Sequence, residues 1–112
     1  MSLSSAVQSE TQIVTVNSAR IDAAMAIQFK EDMRNQTSVG PNRIVLDLTE
    51  VEFIDSSGLG AIVAAMKQLD SHRSLELAGL SPTVYKVFRL TRMDTVFRLH
   101  TTLDAAMADG GA

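Results

Sequence analysis

Segments with the two-residue rhythm of a strand alternate along this chain with segments of helical rhythm, and no other feature constrains its fold more. Residues 12–16 read QIVTV, β-branched and bounded by Glu10-Thr11 and Asn17-Ser18, which predicts a strand. Residues 6–9 offer it a hairpin partner. From Asp22 onward Met25, Phe29 and Met33 recur at intervals of four until Ser38-Val39-Gly40-Pro41 stops the run. An Asp at the opening and Gly-Pro at the close predict a helix beginning at Asp22. Residues 43–48 form a second strand, its unbroken Ile44-Val45-Leu46 suited to a position covered on both faces. Leu59, Ile62, Val63, Met66 and Leu69 then fall on one side of a helix. Residues 74–78 alternate as a strand. Ser81-Pro82, a cap followed by proline at the first helical position, opens a third helix with Val84, Val87, Phe88 and Thr91 on one side. Residues 96–99 read as a short last strand and 103–108 as a terminal helix, with Gly110-Gly111 as its fraying end.

Such alternation requires crossover connections. The fold class is therefore α/β, a mixed and centrally parallel sheet of four or five strands with helices packed on it. The 112 residues suit one domain, with a core spanning about residues 6–108 and no weight placed on residues 1–5. Aromatic residues are only 4%, so aliphatic side chains and Met must fill the core. The absence of cysteine removes disulfide scaffolds, thiol catalysis and Cys-type zinc sites, and suits a reducing cytoplasm. A net charge of −3 argues against nucleic acid as partner. No Lys/Arg-led apolar segment opens the chain, and the most apolar stretch, residues 58–66, is far too short to insert in a membrane.

In parallel sheets the working site lies where strands end and helices begin, which singles out the junction after residues 43–48. It reads Val51-Glu52-Phe53-Ile54-Asp55-Ser56-Ser57-Gly58-Leu59-Gly60. A plain helix cap accounts for much of it, since Asp and Ser satisfy free backbone N–H groups and Gly permits a tight turn. Yet a cap needs one acceptor, and three stand in a row. With Ser57 as the cap, the Ser56 hydroxyl is spare at the positive end of a helix dipole, a place to hold a phosphate or receive one.

These residues, together with Ile44-Val45-Leu46-Asp47-Leu48 ahead of them, resemble the anti-sigma factor antagonists of the STAS domain family. The similarity runs from about residue 12 to residue 108, in element order as well as motif. It implies a binding module, not an enzyme, that needs no cofactor of its own. The implied partners are an anti-sigma factor that is also a serine kinase, which supplies the ATP, and a serine phosphatase that reverses the modification. Residue by residue, the resemblance makes Ser56 the phosphorylation site. Ser57, Gly58 and Leu59 shape the helix start and the partner-binding loop, and Asp55 and Asp22 flank the acceptor. Asp22 also reads as a helix N-cap. Two departures stand out: Asn17-Ser18-Ala19 replaces the family's usual glycine ahead of Arg20-Ile21-Asp22, and Leu90-Thr91-Arg92-Met93 stands where relatives place Gly-Leu.

The rival within the fold is a STAS adaptor that is never phosphorylated, docked on a lipid-transport or signalling complex. A small-ligand carrier is a third reading, disfavoured by the scarcity of aromatics. His72 and His100 lack Asp, Glu or His partners at ligand spacing, and no nucleophile elbow supports a hydrolase triad. Gly58-Leu59-Gly60 lacks the third glycine of a nucleotide cradle. Asp47, Glu50, Glu52 and Asp55 make the loop acidic, so a partner should bring positive charge. Lys86, Arg89 and Arg92 read as the solvated side of the third helix.

Overall fold

The computed structural model describes residues 2–110. Strands β1 (Leu3–Gln8) and β2 (Thr11–Val16) form an antiparallel hairpin. The sheet continues through β4 (Arg43–Asp47), β6 (Ser74–Ala78) and β7 (Leu99–His100) in the order β1-β2-β4-β6-β7, every pairing after the first being parallel. Helices α1 (Ala26–Gln36), α2 (Ser56–Lys67), α3 (Pro82–Leu90) and α4 (Leu103–Gly110) complete the alternation. Two further strands, β3 (Arg20–Ile21) and β5 (Phe53–Ile54), pair in parallel as a separate ribbon. They are too short to carry a readable alternation.

Period-two alternation along the strands divides the core between the two faces of the sheet. On one face Val14, Val16, Ile44, Leu46, Leu75 and Leu77 pack with Phe29 and Met33 of α1, Ala61, Ile62 and Ala65 of α2, and Val84 and Phe88 of α3. On the other, Val45 and Ala78 meet Ala106 of α4. The parallel pairings at the centre, and the helices that cover both faces there, account for the unbroken apolar run at Ile44-Val45-Leu46.

Several boundaries differ from expectation, each for a local reason. The first strand begins at Leu3 rather than residue 6, so residues 3–5 belong to the sheet. α1 begins at Ala26, not Asp22, because the Asp22 carboxylate accepts from the Ala24 N–H and its carbonyl from Met25 N–H, which closes a turn instead. α2 starts at Ser56 and ends at Lys67, leaving Leu69 beyond it. Val84 and Phe88 of α3 are buried as its pattern requires, but Thr91 is exposed and turns its hydroxyl back to the Val87 carbonyl. The last strand is Leu99–His100, not residues 96–99: a 3-10 turn at Met93–Thr95 is still closing there, and both Val96 and Phe97 donate to the Met93 carbonyl. Phe97 instead enters the core edge-on to Phe88, ring centroids 6.0 Å apart. α4 runs two residues past residue 108. Of the expected fraying end, Gly110 closes α4 and Gly111 lies outside the described residues. At the end of α3, Arg92 takes the left-handed conformation (φ 62°) that glycine adopts more readily.

The hairpin loop of β1 and β2 has two residues, Ser9 (φ 51°) and Glu10 (φ 59°), both left-handed. Two positive φ values in a two-residue loop are the mark of a type I′ turn, whose twist matches the strands but which favours Asn-Gly. Replacing Ser9-Glu10 by Asn-Gly is expected to stabilise the protein by about 1 kcal/mol, the relief of left-handed strain less the added freedom of the unfolded chain. Urea unfolding should show a higher midpoint at unchanged slope. An unchanged midpoint would show that this turn carries no strain to relieve.

Candidate functional site

The β3–β5 ribbon brings two distant loops together at one end of α2. Asp55, immediately after β5, is the N-cap of α2: one carboxylate oxygen, Oδ1, accepts from the Gly58 N–H at 2.8 Å. The other, Oδ2, accepts from the Ala23 N–H in the β3–α1 segment at 3.2 Å. The Asp55 N–H itself donates to the Ile21 carbonyl. One half-buried side chain thus caps the helix and fastens the neighbouring loop to it.

This corrects the expectation that Ser57 is the cap. Ser56 and Ser57 are the first two residues of α2, both exposed, and neither side chain makes a hydrogen bond among the described residues. Two hydroxyls rather than one are therefore free at the positive end of the helix dipole. The assignment sets a mutational expectation. Asp55→Ala should cost about 1–2 kcal/mol, the upper range for a lost cap because it also releases Ala23, whereas Ser57→Ala should leave the melting temperature unchanged. A destabilisation seen with Ser57→Ala alone would return the cap to Ser57.

Gly58 is buried, and its Cα lies so close to β3 that a Cβ there would stand 2.1 Å from the Ile21 carbonyl oxygen. Leu59 is half-buried against the main core. Asp22 pairs with Arg20 at 3.1 Å and accepts from its own turn at Ala24. It is not a helix cap, and the contact that fastens its segment to α2 is made by Asp55 instead. Arg20 also lies over the half-exposed Phe53 ring, 5.2 Å from its centroid. The acidity of the loop is smaller than its composition suggests. Asp47 is buried and spends its charge on the Thr49 N–H and hydroxyl, leaving Glu50 and Glu52 as the exposed acids beside the Asp55 cap.

A second polar cluster lies on the opposite face of the sheet. Arg43 donates to both carboxylate oxygens of Glu76, at 3.0 and 2.8 Å, and to the Ala106 carbonyl of α4 at 2.9 Å. The buried His100 brings Nε2 to 2.7 Å from Glu76 Oε1. Sequence spacing hides this group, because residues 24 positions apart meet only through the β6–β7 pairing. Burial pushes the Glu76 carboxyl up, but the hydrogen bonds and charges of Arg43 and His100 outweigh it and hold the group below the usual 4.5. The Arg43 guanidinium is raised in turn, chiefly by its hydrogen bond to Glu76.

Because folding depresses the Glu76 pKa, its stabilisation is fully present above about pH 4.5 and is lost as pH falls through the folded value. Glu76→Gln should cost about 2 kcal/mol at pH 7, since Arg43 keeps its burial and loses its charged partner. That gap should close as the pH is lowered below 4.5. Parallel acid-unfolding curves for the two proteins would sink the assignment.

Among the described residues no group of acidic or histidine side chains is placed to hold a metal, and no helix is long and apolar enough to cross a membrane. The STAS domain model matches residues 3–106. The chain belongs to the STAS domain family. It is 35% identical over 80 residues to the anti-sigma-B factor antagonist of Listeria monocytogenes, a match covering 70% of each chain. Its fold superposes on the crystal structure of an anti-sigma factor antagonist from Mycobacterium paratuberculosis with a TM-score of 0.85 and 26% identity, covering 96% of this chain and 91% of that one. The same STAS architecture is found in the anti-sigma factor antagonist SpoIIAA in its unphosphorylated form, with a TM-score of 0.73 at 22% identity, covering 95% and 93%.

Proposed function

We propose that this STAS domain is an anti-sigma factor antagonist whose grip on its partner is switched by phosphorylation of Ser56. The single observation that supports this most is the division of labour at the start of α2. Asp55 satisfies the cap alone, so the adjacent hydroxyls have no structural duty and face solvent beside first-turn N–H groups that have no partner among the described residues. Of the two serines, Ser56 is the one that matches the acceptor position of the family motif. The adaptor alternative gives that hydroxyl no role.

The domain acts as ligand and as substrate rather than as enzyme. Unmodified, it docks on an anti-sigma factor kinase through the Ser56 loop and the exposed start of α2, and the sigma factor is set free. Transfer of the γ-phosphoryl group from the kinase's ATP to the Ser56 oxygen ends the complex, and a serine phosphatase restores it. Glu50 and Glu52 would draw a basic patch on the kinase towards the loop, acting on encounter more than on final affinity.

The test is phosphate transfer. The protein is incubated with ATP and lysate of its own cells, and the added mass is mapped by peptide mass spectrometry. Phosphate is expected on Ser56 in the wild type and in Ser57→Ala, and none in Ser56→Ala. Phosphate on Ser57, or on no residue of this loop, would overturn the reading.

A further inference from the structure

The outer edge of β1 is an unusually inviting sheet edge. Six residues long, it carries no charge, no proline and no bulge, the devices that normally keep an edge from pairing. The opposite edge, β7, is only two residues long. The hydrogen-bond alternation of β1 can be read from its first rung. Asn17 N–H donates to the Ser2 carbonyl, so in this register Ser4, Ala6 and Gln8 direct their backbone groups inward to β2. Leu3, Ser5 and Val7 therefore direct theirs outward, with no partner strand there among the described residues.

We infer that β1 pairs antiparallel with β1 of a second copy of this chain, extending the sheet across a two-fold axis at Ser5. The three outward residues are spaced evenly about Ser5. That symmetry sets Leu3 opposite Val7 of the other copy and Ser5 opposite Ser5, so the interface is isologous. The side chains agree with the backbone. Leu3 packs against the core, and Val7, on the same side of the strand, is left 65% exposed. Beside Leu3 a groove of about 300 Å³ runs between the edge and α1, walled by Ser2, Asp32, Asn35 and Gln36. In this register the Val7 of one copy lies next to the Leu3 and groove of the other. A strand without charge also meets its own copy without like-charge repulsion, although the molecule as a whole carries −3.

Sedimentation equilibrium of the full chain across a concentration series tests this, with amide hydrogen exchange read at both ends of the series. The wild type should pass from monomer to dimer. The Leu3, Ser5 and Val7 amides should gain protection with concentration, while Ser4, Ala6 and Gln8 stay protected throughout. Val7→Pro removes an N–H that the internal ladder does not use, and with it two inter-copy hydrogen bonds. It should weaken dimerisation at least about tenfold while keeping the wild-type melting temperature of the dilute protein. Val7→Glu, which leaves the backbone untouched and sets a carboxylate beside the Asp32 wall of the other copy's groove, should weaken it similarly and guards against a folding defect in the proline variant. A wild type that stays monomeric to millimolar concentration would overturn the inference. So would a dimer that both variants leave intact, or one whose Leu3, Ser5 and Val7 amides remain unprotected.

Discussion

Gly58→Ala is expected to destabilise the protein by about 3 kcal/mol, the top of the ordinary range for forcing a carbon into packed space. The new Cβ would lie 2.1 Å from the Ile21 carbonyl oxygen, 2.8 Å from its carbon and 2.9 Å from Cγ1 of Ile54. Two of these atoms belong to backbone, so no side-chain rotation relieves the contact. Nor can the backbone yield easily: Ile21 is fully buried, pairs with Ile54 across the ribbon, and accepts from Asp55 N–H through that same oxygen. The first turn of α2 would have to lift away from β3, which strains the Asp55 cap and its bond to Ala23 together. Gly60 is the internal control. It lies two residues further along α2, exposed, with nothing within 4 Å of a Cβ built there. Gly60→Ala should therefore stabilise by about 1 kcal/mol, the ordinary helix-propensity gain. Urea unfolding of the two variants beside wild type decides the matter. A Gly58→Ala protein as stable as wild type would mean that α2 does not sit this close to β3.

Phosphorylation of Ser56 should weaken partner binding at least about a hundredfold and leave the fold unchanged. The phosphate adds a charge of about −1.5 to −2 at neutral pH. Within the free domain two local effects oppose each other. The start of α2 attracts it by roughly 0.3–1 kcal/mol, helped by the unpaired N–H groups of the first turn. Asp55, already bonded at both oxygens, repels it across solvent by a similar amount. Neither effect approaches the stability of a small domain. In the complex the loop is covered and the phosphate loses its water, at a cost of several kcal/mol unless the kinase presents a matched cation. Each 1.4 kcal/mol is tenfold in affinity, which sets the hundredfold floor. Calorimetric titration of both forms against the kinase measures the first part, and melting of both forms alone measures the second. Equal affinities would remove the switch. A phosphorylated domain that melts far lower, or whose amide shifts change well beyond the Ser56 loop, would replace an electrostatic switch at the surface with a conformational one.

Much of this was legible in the order of residues. Periodicity together with cap and breaker residues located four helices and the principal strands, because burying one face of a helix or strand writes its own spacing into the chain. Ile62 and Phe88, placed in the core by that spacing, are fully buried. The Asp55-Ser56-Ser57-Gly58 motif marked the functional loop for a related reason: a helix start needs an acceptor, and surplus acceptors stand out. Which acceptor caps the helix was not legible. Asp, Ser and Ser all suit the role locally, and the choice was made by Ala23, thirty-two residues away, which rewards a carboxylate with a second oxygen to offer. The same reason governs what else only the tertiary structure decided. Gly58 looked like a turn residue, and its requirement comes from the backbone of β3. Glu76, Arg43 and His100 carried no signal at all, since parallel strands bring together residues that sequence holds far apart. Local chemistry determined the elements; contacts across strands determined which side chains at their ends are engaged and which, like Ser56, are left free to react.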